Sequence, residues 1–415
     1  MIGIALALAI AAPPPLRLAD LLREAHEKNP DLLAAQARVR AAQSSISPAG
    51  ALDDPMLMVQ LWNAPADLSN QPVMVQVNQQ IPLGGKRGAR TDAARADAAM
   101  SEADLAAKQR DLDTQVASAY FDLFLAERTQ GVDDELDQIL NLLLRASEAR
   151  VSTGKAEQVE LLRAQGAVIQ LRSDRETAVD QQESAWARLS ALLDRDPASP
   201  IGRTTEPRML ASLPDLATLR ARALQERPEM LGVQAQVTGA QAQERLARAA
   251  EIPDLGLFAA AMHTFHNPMG ESNFLFAGFQ INLPLFGGGK NQPRIASAAA
   301  QVVSMQEAGH ALRNRIAAEI AAQYAHVQTE QRQIELHHQL IPIAKQAVES
   351  AESSYGAGRA DFTMVIDSAR ELRMHELDLA THMALYEQRL AELQRAAGID
   401  LGIAQAAEGG HDEHR

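Results

Sequence analysis

The chain is 415 residues long, carries a net charge of −14, is 4% aromatic and contains no cysteine. The negative charge argues against a nucleic-acid partner, which would need a basic surface. Without cysteine there is no thiol for a disulfide, an iron–sulfur cluster, a thiolate metal site or a lipid-bearing N-terminal residue. The shortage of aromatics beside many Ala, Gln and Leu suits long helices packed through small side chains.

Residues 1–11, MIGIALALAIA, form an apolar run too short to span a membrane. Ala9-Ile10-Ala11 has the small-x-small form of an export-signal cleavage site. A helix is expected over 18–47. Two extended segments follow, Pro55–Trp62 and Pro72–Gln80, with turn formers between them. In the second, Val73, Val75 and Val77 alternate with Gln76, Asn78 and Gln80, the period of a strand. Met56 and Met58 share a face of the first, open to a lipid-facing reading. Pro82, Gly84 and Gly85 then stop the strand in QIPLGGK, and a long helical stretch covers 88–150. There Leu105, Leu112, Val116, Leu123, Leu136, Leu140 and Leu143 recur at helical spacing, narrow enough for a coiled-coil seam. Gly154 and Lys155 make a turn into a last helix over 156–194.

The same order is then repeated. LADLLREAHEKNPDLLAAQARVRAAQ from Leu18 aligns with LATLRARALQERPEMLGVQAQVTGAQ from Leu216, placing Pro30 on Pro228. A helix over 215–250 precedes two extended segments, Pro253–His263 and Asn273–Asn282, the second alternating Phe279 and Ile281 with Gln280 and Asn282. Pro284, Gly287, Gly288 and Gly289 in LPLFGGGK match the first strand stop. A helix over 293–354, with Pro342 as an expected kink, leads through Gly358 and Arg359 to a last helix over 360–397. The organisation is therefore a signal-like segment at 1–11, a repeat at 12–195, a Pro-rich link at 196–214, a second repeat at 215–398 and a tail at 399–415.

The four extended segments are either an amphipathic hairpin pair on a soluble core or part of a membrane barrel. Aromatics near their ends (Trp62, Phe265 and Phe274) suit an interfacial girdle. Four strands cannot close a barrel, and an open edge in lipid is forbidden. A membrane reading thus forces oligomerisation, and three copies give twelve strands. Gln76, Asn78, Gln80, Gln280 and Asn282 would line the lumen. Lys86 and Lys290 would be polar anchors at the membrane boundary.

Enzyme signals are weak. GGGKN lacks the spacing and the hydroxyl residue of a phosphate loop. No nucleophile, base and orienter set stands out, so no enzyme activity and no cofactor are expected. Met56, Met58, Met74, Met262 and Met269, with His263 and His266, lie in or beside the strands, but their spacing is not that of a ligand set. His337 and His338 are adjacent on a helix and point apart, and His375 and His382 are two turns apart without an HExxH pattern. No metal site is expected from spacing alone.

The duplicated helix–hairpin–long-helix plan, the strand stops QIPLGGKRGAR and INLPLFGGGK, and the turns ARVSTGKAEQVELLRAQ and SSYGAGRADFTMVIDSAR resemble the TolC-like outer membrane efflux proteins. The resemblance covers about Leu18 to Gly398 and, in DDPMLMVQLWN and MVQVNQQIPLGGK, is nearest the CzcC/CusC heavy-metal branch. It implies a mainly α fold with a small β part: long coiled-coil-like helical hairpins forming an α-barrel, and four transmembrane strands per chain completing a twelve-stranded barrel in a homotrimer. It also implies outer-membrane lipid around the barrel, a periplasmic adaptor, an inner-membrane pump of the RND type, and passive conduction of cargo, heavy-metal cations first. Drug efflux or protein export by the same fold, and a soluble coiled-coil scaffold, are the alternatives. The turns would be the periplasmic tips, with Gly154, Lys155, Glu157, Glu160, Gly358, Arg359, Asp361 and Asp367 as gate residues. Glu157 and Asp361 are read equally well as carboxylates favoured at helix N-termini. Val159, Leu162, Met364 and Val365 are expected to pack or to face the adaptor.

Overall fold

The computed structural model describes residues 15–61, 72–154, 157–200, 202–207, 209–210, 212–264, 272–283 and 287–402. The signal-like segment, Trp62, Lys155, Phe265, His266, Met269 and Pro284 lie outside them. The element order is α1 (Leu18–Lys28), α2 (Pro30–Gly50), β1 (Met56–Leu61), β2 (Val73–Ile81), α3 (Lys86–Ser152), α4 (Gln158–Leu192), α5 (Leu216–Glu226), α6 (Pro228–Ala249), β3 (Leu255–Thr264), β4 (Ser272–Ile281), α7 (Gly287–Gly356) and α8 (Phe362–Ala397). The second six elements repeat the first six in type and order. No helix among the described residues is long and apolar enough to cross a membrane.

The chain divides into two compact units, each built from both halves of the sequence. One comprises Met1–Leu33, Ala107–Arg227 and Arg315–Arg415; the other comprises Ala34–Ala106 and Pro228–Asn314.

The first helix of each half is broken, where the sequence suggests one helix. The joints are Asn29-Pro30 and Arg227-Pro228. Proline disfavours the helical region for the residue before it, and Asn29 and Arg227 accordingly adopt ψ of 121° and 125°. The two joints are stabilised differently. Asn29 accepts the amides of Asp31 and Leu32 at 3.0 and 3.1 Å and donates to the Leu192 carbonyl at 3.0 Å. Arg227, 4% exposed, donates to Glu319 at 2.8 Å and to the Ala396 carbonyl at 3.1 Å. Gly398 (φ 71°) ends α8 against it, where a Cβ would lie 3.0 Å from the Arg227 Cα.

The long helices run unbroken through Gly131 in α3 and Pro342 in α7. Leu112, Val116, Leu123, Leu136, Leu140 and Leu143 are all buried, as their spacing predicts, while Leu105 is half-buried. In α7, Ile295, Val302, Ile316, Ile320, Val327 and Ile334 form the matching seam. In the second unit small residues let helices close up. A Cβ on Gly239 would sit 3.2 Å from Ala96, and one on Gly309 would sit 3.1 Å from Val233.

The strands form one antiparallel sheet in the order β1-β2-β3-β4. Its register separates two faces. Val75, Val77, Leu57, Val59, Leu257, Leu275, Phe279 and Ile281 share one face and are exposed, Leu275 by 89%. Gln76, Asn78, Gln80 and Gln280 share the other. Two expectations are corrected by the register. Met56 lies opposite Asn78 and Met58 opposite Gln76, so both methionines belong to the glutamine face rather than the apolar one. Phe274, opposite Met262, and Phe276, opposite Ala260, belong to that face too, so Phe274 shares the face of the glutamines rather than the apolar one. Gly278 makes room there: a Cβ on it would meet the Phe258 ring at 2.7 Å.

Lys86 also departs from expectation. It is 8% exposed, and its Nζ donates to Asp254 at 2.6 Å and to the Ile252 carbonyl at 2.7 Å. It fastens the strand exit internally instead of anchoring at a surface. Lys290 is exposed.

Candidate functional site

Three places carry the expected function: the sheet, the strand exits and the helix turns. The sheet has the chemistry of a wall between lipid and water. One face is apolar, and the other bears Gln76, Asn78, Gln80 and Gln280, with Asn282 immediately after β4. Among the described residues β1 and β4 each pair on one side only, so each leaves a row of backbone donors and acceptors to be satisfied.

The first strand exit is tightly built. Pro82 ends the ladder. Gly84 and Gly85 follow with φ of 72° and 76°, left-handed values that glycine adopts without steric cost. A Cβ on Gly84 would lie 2.6 Å from the Ile252 side chain, while one on Gly85 would meet nothing within 4 Å. Asp254, which the sequence did not single out, accepts from the Leu83 amide at 3.1 Å and from Lys86. At the second exit Gly287, Gly288 and Gly289 are the opening residues of α7.

At the turns, Gly154 and Gly358 have φ of 70° and 68°. Their amides close the helix ends on Val151 and Tyr355, each at 3.0 Å. Glu157 and Asp361 occupy the N-cap positions of α4 and α8, are exposed, and make no side-chain cap bond. Asp367 is exposed. Glu160 differs: its Oε1 accepts from the Tyr355 hydroxyl at 2.5 Å and from Ser147 at 3.4 Å. Tyr355 links the two turns further, because Arg150 stacks over its ring at 4.6 Å and donates to its carbonyl at 3.5 Å. Burial, and then the bond to Glu160, hold the Tyr355 hydroxyl above its usual pKa. Arg163 donates to Thr363 at 3.0 Å. Beneath these bonds lies an apolar cluster that includes Leu143, Ala164, Leu171, Val348, Phe362 and Val365. Val365 is fully buried, whereas Val159, Leu162 and Met364 are about half exposed. Tyr355, Ser147 and Arg150 were not singled out because their roles depend on bringing the two turns together across some two hundred residues of chain. A tyrosine one turn before Gly358 is the only local hint.

The Outer membrane efflux protein family model matches residues 21–195 and 219–399. The cobalt-zinc-cadmium resistance protein CzcC of Cupriavidus metallidurans is 26% identical over 372 residues, covering 87% of this chain and 85% of its own. The pyoverdine export outer membrane protein OpmQ of Pseudomonas aeruginosa is 26% identical over 418 residues, covering 92% and 84%. Among solved structures CusC superposes with a TM-score of 0.80 at 19% identity over 96% of this chain and 97% of its own. With a duplicated helical plan, a two-faced four-stranded sheet and a family match over both halves, this chain belongs to the outer membrane efflux protein family and is an outer-membrane channel component.

Proposed function

We propose that three copies of the chain close a twelve-stranded barrel around a water-filled lumen, continued by a tunnel of helical hairpins. The observation that carries this reading is the sheet: four strands with one apolar face, one glutamine-bearing face and two half-paired edges. In lipid every backbone polar group needs a partner, and joining β1 of one copy to β4 of the next supplies it. Native mass spectrometry of the detergent-extracted protein tests this, with a mass of three chains expected and a monomeric channel overturning it.

The repeats 12–195 and 215–398, joined by 196–214, would each contribute one hairpin of the sheet and one helical hairpin ending in a tip. The tips would meet a periplasmic adaptor and, through it, an inner-membrane pump. Glu157, Asp361 and Asp367 are exposed and uncommitted to capping, which supports a ring of carboxylates that favours cations at the periplasmic end. Gly154, Lys155, Gly358 and Arg359 would form the reversals, and Glu160 would hold the tips shut through Tyr355. Gln76, Asn78, Gln80, Gln280 and Asn282 would line the barrel.

The cargo we infer is divalent heavy-metal cations, by kinship with CzcC, named for cobalt, zinc and cadmium resistance. Export of a larger organic cargo is the second reading, favoured by kinship with OpmQ, named for pyoverdine export. A deletion strain challenged with cobalt, zinc and cadmium salts in one arm and with siderophore and drug substrates in the other separates them. Unchanged metal tolerance overturns the first.

A further inference from the structure

We propose that α7 and α8 are stapled by a divalent transition-metal cation bound between His337, His375 and Asp378. The three side chains each offer a ligand atom, and these atoms lie within 4.8 Å of one another. This is a separate site from the tips and does not depend on what the channel carries.

Four observations support it. His337 is 8% exposed and sits in the apolar seam of α7, three residues after Ile334, which is 1% exposed. A seam position of this kind normally holds an aliphatic side chain. The Nδ1 atoms of both His337 and His375 are buried with no hydrogen-bond partner among the described residues, whereas buried polar atoms are ordinarily satisfied. His375 and Asp378 are three apart on α8 and therefore share the face turned toward α7. The ring of His382, one heptad after His375, stands 5.4 Å from the His337 ring, and its Nδ1 is held by Glu330 at 2.7 Å. A carboxylate fixing the far nitrogen is how metal-bound imidazoles are commonly oriented. The His382 ring borders the three-residue set without belonging to it.

Two imidazoles and a carboxylate suit zinc, cobalt or nickel rather than magnesium or calcium. Ligand atoms around a tetrahedral zinc stand about 3.3 Å apart, so atoms that lie within 4.8 Å of one another need only draw closer on binding.

The test is a cobalt(II) titration of the full, chelator-treated protein in detergent, followed by its visible d–d absorption. A thermal melt with and without zinc accompanies it. One cobalt per chain and a zinc-dependent rise in Tm are expected. His337→Gln and the half-buried Asp378→Asn should each weaken binding at least tenfold. His411→Gln with His414→Gln, in the tail, should leave it unchanged. Absence of the band in the wild type, its survival in Asp378→Asn, its loss with the tail histidines, or an equal Tm rise with magnesium would each overturn the site. Asp378→Asn decides the matter if His337→Gln does not fold.

Discussion

Lys86, at the start of α3, and Asp254, just ahead of β3, meet at 2.6 Å and join the exit of the first hairpin to the entrance of the second. The lysine side chain is 10% exposed and the aspartate 26%. Breaking one side of a largely buried pair strands the other charge, at a cost of about 2–3 kcal/mol at this partial exposure. Lys86→Met and Asp254→Asn should each lower Tm in detergent. Because the two share one interaction, the double variant should lose clearly less than the sum. Additive losses would show that the pair is idle.

The two glycines of the same turn should respond differently to alanine. Both have positive φ, which costs a non-glycine residue about 1–2 kcal/mol. Only Gly84 also faces the Ile252 side chain, with 2.6 Å available. Gly84→Ala should therefore be the more damaging by at least about 1 kcal/mol, read as a larger fall in Tm than for Gly85→Ala.

The corrected faces of β1 can be checked because the chain has no cysteine of its own. Met58→Cys should react with a membrane-impermeant thiol reagent in intact outer membranes, and Val59→Cys, on the apolar face, should be protected. Reversed labelling would restore the lipid-facing reading of the methionines.

Glu387 on α8 is 1% exposed, and neither carboxylate oxygen has a hydrogen-bond partner among the described residues. Burial pushes its pKa up to about 8 from an ordinary 4.5. A carboxyl group raised on folding contributes fully below the unfolded value, and the contribution is lost as pH rises through the folded one. Stability should thus decline from about pH 4.5 to about pH 8 and level off above, by an amount on the order of 5 kcal/mol at most. Glu387→Gln should flatten this slope and raise Tm on the alkaline side. A wild-type Tm unchanged between those limits would show that the carboxyl is solvated.

Tyr355→Phe removes the hydroxyl that donates to Glu160 and leaves the packing intact. It should cost about 1–2 kcal/mol and, if the turns form the closed end of the channel, raise the open fraction in planar bilayers. Glu160→Gln should act in the same direction. Opening by Asp367→Ala but by neither of these would relocate the latch.

Much of this architecture is written plainly in the chain. The duplication, the period-two strands and the seam from Leu112 to Leu143 follow from local pattern, because burial imposes its periodicity directly on sequence. The helix breaks at Asn29 and Arg227 were hidden by an uninterrupted helical pattern on either side, though each precedes a proline. What sequence did not disclose depends on register or on long-range approach. The face of Met56 is decided by its pairing with Asn78, the role of Asp254 by its approach to Lys86, and the grouping of His337 with His375 by the alignment of two helices.

The joints before Pro30 and Pro228 are equivalent in position, yet one is closed by a neutral amide and the other by a guanidinium–carboxylate pair. Arg227 is buried and Glu319 three-quarters buried, so salt screens the second only weakly. The duplication has thus kept the helix break in each half while the chemistry that fastens it differs, a neutral amide in one and an ion pair in the other.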